Sequence, residues 1–182
     1  LTDRENMRVQ KIEYHWQNAL VDPVVGGSFF AKAVDLIDEA KETISICIFT
    51  ARYYRGKSRN PVNSLFDALR RAANRGVNVR ILLNQNFHDS SANQHNRFIA
   101  QYFKAKNLQA AMGGTSTRIH AKLILIDGDI TLIGSHNYST RAHRTNFETS
   151  VIIKSPEIHS FFINEFERLW KIRKLVPGRV SQ

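Results

Sequence analysis

The stretch from which the fold can be read is Ile119-His120-Ala121-Lys122-Leu123-Ile124-Leu125-Ile126-Asp127, then Gly128-Asp129, then Ile130-Thr131-Leu132-Ile133-Gly134-Ser135-His136-Asn137. Two apolar runs around a Gly-Asp pair predict two strands, over 119–127 and 130–134, joined as a hairpin. Side chains alternate along a strand, so His120 and Lys122 share one face while Ala121 and Leu123 take the other. The hairpin carries Ser135 and Asn137 back beside the start of the first strand. Together these residues suit a phosphate: lysine supplies charge, serine and asparagine supply oriented hydrogen bonds, and histidine serves as nucleophile or proton donor. Taken singly, each is better explained as an ordinary surface or turn residue; the combination is what points to a site.

Working outward, Thr43 to Thr50 reads as a buried strand. It is preceded by a helix whose Phe29, Phe30, Ala33, Val34 and Ile37 recur at helical spacing as far as Lys41. Leu65, Phe66, Leu69 and Ala72 mark a helix that stops at Gly76. A strand over 77–83, a helix carrying Phe98, Ile99, Tyr102 and Phe103, and a short strand over 108–112 follow. Beyond the hairpin come a long polar loop over 135–146, a strand over 147–153, and a helix opened by Pro156 and running through Trp170. Asp22-Pro23 and Gly26-Gly27-Ser28 read as turn and cap chemistry. Residues 1–20 are then a lead-in, 21–176 one domain and 177–182 a tail. Alternating helices and strands predict an α/β fold: a mixed β-sheet, part of it parallel, flanked by helices on both faces.

Of the 182 residues, 42% are hydrophobic and 23% charged, which excludes a disordered or fibrous chain. The net charge of +10 favours a polyanionic partner, nucleic acid ahead of an anionic lipid surface. A single cysteine, Cys47, excludes an internal disulfide framework and a zinc site of several thiolates, and its apolar strand context reads as packing. Apolar runs fall far short of the roughly 20 residues that cross a bilayer, so a soluble, cytoplasmic chain is expected. The sequence opens on Leu1 without a charged-then-apolar leader, as a trimmed chain or a piece of a longer protein with further domains would.

From His120 to Asn137, the spacing His-x-Lys, four residues, Asp, six residues, Gly-Ser-x-Asn resembles the signature of the phospholipase D superfamily. The order of elements across Phe29 to Trp170 is similar to that family's domain. The resemblance implies a phosphodiesterase in which His120 attacks phosphorus and forms a phosphohistidine. Lys122 and Asn137 then hold the nonbridging oxygens with help from Ser135, Asp127 has a supporting hydrogen-bond role, and neither metal nor other cofactor is needed. The family's chemistry uses two motifs, and this chain has one: His15, His88, His95 and His159 lack a lysine two residues on. The expectation is a twofold homodimer with one active site at its interface, similar to the superfamily's small bacterial endonucleases and restriction-enzyme catalytic domains. The substrate expected is DNA or RNA. The alternatives are a phospholipase or phosphatidyl transferase acting on anionic phospholipid, which calls for exposed apolar residues at the entrance, and a nucleic-acid-binding module of a larger enzyme.

Secondary candidates surround this core. Glu148 lies where many family members carry an acid that hydrogen-bonds a catalytic histidine, although an ordinary strand-end carboxylate fits equally well. His136 and His143 are candidate polar lining residues. Arg52, Tyr53 and Arg55, with Tyr54, Lys57 and Arg59, form one basic loop, and Arg141, His143 and Arg144 a second; both suit backbone tracking and base stacking at the edge of one cleft, although a plain solvated loop explains the first equally well and the second somewhat less well. Polar residues from Ser90 to Asn96 are either substrate contacts or a helix start.

Overall fold

Ile44, Ile46 and Ile48 alternate with Ser45 and Cys47 along β2 (Thr43–Ile48), and all five are buried. A strand closed off on both faces belongs at the centre of a sheet. In this computed structural model, which describes residues 19–57, 59–86, 91–106, 108–114 and 116–176, it does. The remaining strands are β1 (Leu20–Val25), β3 (Asn78–Leu83), β4 (Gln109–Met112), β5 (Lys122–Ile126), β6 (Ile130–Gly134) and β7 (Thr149–Lys154). They form one seven-stranded sheet in the order β1-β7-β6-β5-β2-β3-β4. The β2-β3 and β3-β4 pairs are parallel and the rest antiparallel.

Helices α1 (Ser28–Glu39), α2 (Pro61–Asn74) and α3 (Ser91–Lys104) cover one face. Phe30, Ile37, Phe66, Leu69 and Phe103 there meet Ile44, Ile46, Ile81 and Ile124 of the sheet. On the other face α5 (Pro156–Lys171) lays Phe166 and Trp170 against Cys47, Leu82, Leu123 and Leu125. The fold is therefore the expected mixed sheet with helices on both faces. Burial pushes the Cys47 thiol up to about 12, so it stays protonated and acts as packing.

The strand directions bring several chain ends to one edge of the sheet. The C-terminal ends of β2, β3 and β6 and the N-terminal ends of β5 and β7 lie together there. Segments just after Ile48, Leu83 and Gly134, and just before Lys122 and Thr149, consequently meet.

Four expectations need correction. Asp22-Pro23 is not a turn but the middle of β1, an edge strand in which only Val24 is buried, so no apolar alternation marked it. The polar loop over 135–146 contains a short helix, α4 (Thr140–Arg144), capped by Ser139 Oγ accepting from the Ala142 N–H at 3.3 Å. The hairpin turns on Asp127-Gly128, whose φ values are +49° and +85°, and Ile126 O accepts from the Asp129 N–H at 3.3 Å. Aspartate and glycine tolerate that left-handed pair, so β5 ends at Ile126. Finally, β5 begins at Lys122 and β7 at Thr149, which leaves His120 and Phe147 ahead of their strands.

Candidate active site

Lys122 opens β5 and is 8% exposed, while His120, two residues earlier, is exposed. Lys122 Nζ donates to the His120 carbonyl at 2.6 Å and lies 3.2 Å from His120 Nδ1. Phe49, just past β2, supports both: its ring centroid is 4.6 Å from that of His120 and 5.3 Å from Lys122 Nζ. Arg118 lies over the same ring at 5.1 Å. The ammonium of Lys122 first, then partial burial and Arg118, hold His120 below the ordinary histidine value. Burial holds the Lys122 ammonium below the ordinary lysine value, with Arg118 acting the same way against the pull of Glu148. A neutral imidazole beside a cation is what attack on a phosphodiester needs.

Asn137 comes from the end of β6. Its Oδ1 accepts from the Thr50 N–H at 3.2 Å, which leaves its amide NH₂ as the donor. Gly134, which starts the Gly-Ser-x-Asn run, is required by space, because a Cβ there would stand 2.1 Å from Ser150 Oγ and 2.4 Å from Thr149 O. Ser135 Oγ donates to Glu148 and accepts from the Thr149 N–H at 3.1 Å, so within one chain it braces Glu148 instead of presenting a free donor. Glu148 takes its second bond from Asn146 Nδ2 at 2.8 Å, not from His120. Burial raises its carboxyl, but the Ser135 and Asn146 bonds and the charges of His136 and Lys122 outweigh this and hold it below the ordinary value.

The other candidates are distributed elsewhere. Asp127 stands at the opposite end of β5, where its carboxylate accepts from the N–H groups of Lys41, Glu42 and Thr43 at 2.7, 2.8 and 2.9 Å. Its supporting hydrogen bonds therefore serve the β2 entry. His136 is fully buried, not lining: Nδ1 pairs with Ser150 Oγ at 2.8 Å, Nε2 with Gly26 O at 3.1 Å, and the ring stacks on Phe29 at 4.3 Å. Tyr53 is packed among Phe66, Phe98 and Tyr102, and Arg55 lies over Phe98 at 5.5 Å, so this pair leans on α3. Arg52 is exposed just past Ala51, which bridges to Tyr138. Arg141 and Arg144 are exposed on α4, and His143 packs over Gly27 and edge-on to Phe30. Ser90 lies outside the described residues, and Asn93 and Asn96 are buried in backbone contacts.

Phe49, Arg118 and Phe147 had no local pattern to single them out. Phe147, beside Glu148, is 87% exposed.

Residues 33–170 match the family described as cardiolipin synthase, PLD-like domain. The chain belongs to this family and, through it, to the phospholipase D superfamily. Among curated proteins it is 24% identical over 144 residues to a mitochondrial cardiolipin hydrolase of Chlamydomonas reinhardtii, covering 79% of this chain and 58% of that protein. It is 32% identical over 128 residues to cardiolipin synthase A of Pseudomonas fluorescens, covering 67% and 24%. The chain thus spans less than two thirds of the length of these relatives. Among solved structures, Nuc of Salmonella typhimurium, a phospholipase D family member, superposes with a TM-score of 0.70 at 21% identity, covering 86% of this chain and 97% of that one. NucT from Helicobacter pylori does so with a TM-score of 0.67 at 18% identity, covering 86% and 99%.

Proposed function

We propose that the protein is a phosphodiesterase that hydrolyses nucleic acid through a phosphohistidine at His120, with the site completed by a second copy of the chain. The observation that carries this is the His120-Lys122 pair: a ring held neutral by an ammonium 3.2 Å away, on a shared phenylalanine support. A nitrogen of the neutral His120 ring attacks phosphorus and the P–O bond to the leaving group breaks; the leaving oxygen takes a proton from His120 of the second copy, whose ring enters the step as the imidazolium paired with the phosphodiester anion. Water then attacks phosphorus and gives a proton to His120 of the second copy, the P–N bond breaks, and the first ring leaves neutral and the second protonated, as they began. Lys122 and the Asn137 amide face the developing charge on the nonbridging oxygens. Glu148, braced by Ser135, is a fixed anion close to Lys122.

Arg118 at the site and the exposed Arg141 and Arg144 on α4 support a polyanionic substrate, as does the +10 charge. Phe147 favours a second reading, a phospholipid substrate, because an exposed ring beside the site is what a lipid surface accepts. Relatives named cardiolipin hydrolase point the same way. Incubation with excess chelator against labelled DNA, labelled RNA and cardiolipin vesicles, with His120→Asn alongside, separates the two. Nucleic-acid cleavage lost in the variant is expected. Turnover of vesicles alone overturns the nuclease assignment in favour of the lipid, and activity retained by His120→Asn overturns the mechanism.

A further inference from the structure

His120 stands outside the sheet, two residues before the first β5 ladder position, so strand pairing alone does not fix its backbone. Two buried asparagines from distant parts of the chain do so instead. Asn84, directly after β3 and fully buried, accepts through Oδ1 from the Ile119 N–H at 2.9 Å and donates through Nδ2 to Asn86 Oδ1 at 3.0 Å. Asn96 of α3, equally buried, donates from Nδ2 to Phe49 O at 2.8 Å and to Asn84 O at 2.9 Å. Its Oδ1 accepts from the Ala51 N–H at 3.1 Å. The two amides thereby join the end of β2, the end of β3 and the segment just ahead of His120. Packing adds to this: a Cβ on Gly113 would lie 2.5 Å from Ile119 Cδ1, so Ile119 sits directly against that glycine.

We infer that Asn84 is a positioning residue for His120, acting through the Ile119 amide, and that Asn96 holds Asn84 and the Phe49 support in register with it. This rests on the assignment of His120 as nucleophile. A buried amide is costly unless its hydrogen bonds are made, and here they are made to backbone on either side of the site. A shift of about 1 Å at a reacting group lowers its rate by up to about a hundredfold. With the Ile119 bond gone, the His120 ring moves away from Lys122 and regains protons at higher pH.

The test uses the full chain with bis(p-nitrophenyl) phosphate and a labelled oligonucleotide, comparing wild type, Asn84→Leu, Asn84→Asp, Asn86→Ala and His120→Ala. Asn84→Leu keeps the volume and loses the bond; the expected result is a kcat lower by about 10- to 100-fold with KM within about twofold. The acid limb of its kcat/KM profile moves to higher pH. Asn84→Asp retains the accepting oxygen but loses the donor to Asn86, so its kcat should fall between those of wild type and Asn84→Leu. If Asn84→Leu yields no folded protein, Asn86→Ala carries the test, because it unfastens the far side of the amide and leaves the Ile119 bond in place, and it should give a smaller change of the same sign. A folded Asn84→Leu with wild-type kcat and acid limb overturns the inference, and so does an Asn86→Ala without change where the leucine variant fails. An active His120→Ala overturns the underlying assignment instead, so the two failures are distinguishable.

Discussion

At the scale of single residues, Lys122 is the one whose loss has the most readable consequence. Its ammonium is the largest influence holding His120 below the ordinary histidine value, and it is the buried cation of the site. Lys122→Met keeps most of the volume and removes the charge. His120 should then titrate at higher pH, moving toward the usual value of about 6.5, which histidine proton resonances followed through a pH series would show. The neutral fraction of His120 falls first on the acid side, so activity should be lost earlier as pH falls. Loss of a stabilising charge predicts a kcat/KM lower by about 10²- to 10³-fold. Unchanged histidine titration in Lys122→Met would contradict the electrostatic coupling.

Asp127 illustrates the scale of elements. It occupies the acidic position of the signature, yet it works at the far end of β5, where three backbone N–H groups of the α1–β2 connection converge on its carboxylate. Burial alone would raise its carboxyl; those three bonds and Lys41 outweigh it and hold the group below its ordinary value. Stability from this group is therefore present above the unfolded carboxylate value of about 3.9 and is lost as pH falls through the lower folded value. Asp127→Ala should cost about 1–3 kcal/mol, measured as a lower urea midpoint at neutral pH. Folded variant should keep its kcat; a selective loss of kcat would return Asp127 to the chemistry.

The same contrast shows what sequence can carry. Strands β2, β3, β5 and β6 announce themselves by apolar runs and α2 and α5 by spacing and caps, because those signals are local. The His120, Lys122 and Asn137 set is legible because strand alternation and one hairpin suffice to bring it together. Edge strand β1 buries only Val24 and so has no pattern to show. Asn84 and Asn96 lie 35 and 23 residues from Ile119, and nothing local distinguishes a structural asparagine from a loop one. His136 has the composition of a lining residue and becomes core through Ser150 and through Phe29 and Gly26, the latter two more than a hundred residues away.

At the scale of the whole molecule, the proposed mechanism makes assembly a requirement that can be tested. If each site takes one His120 from each of two copies, a mixed dimer of wild type and His120→Ala has no complete site. Co-refolded mixtures should lose activity as the square of the wild-type fraction, so an equal mixture should retain about a quarter. A linear dependence would show that each copy works alone.

Among the described residues, β1 is the outermost strand of the sheet. In an antiparallel pair alternate residues bond the partner, and Gly26 N–H donates to Glu148 O, which directs the even-numbered positions of β1 toward β7. Pro23 therefore sits midway along the row facing outward, where its ring leaves a gap among the amide donors. Another chain trying to extend the sheet there would find the central rung missing. The molecule thus resists open-ended, fibre-like growth along that margin.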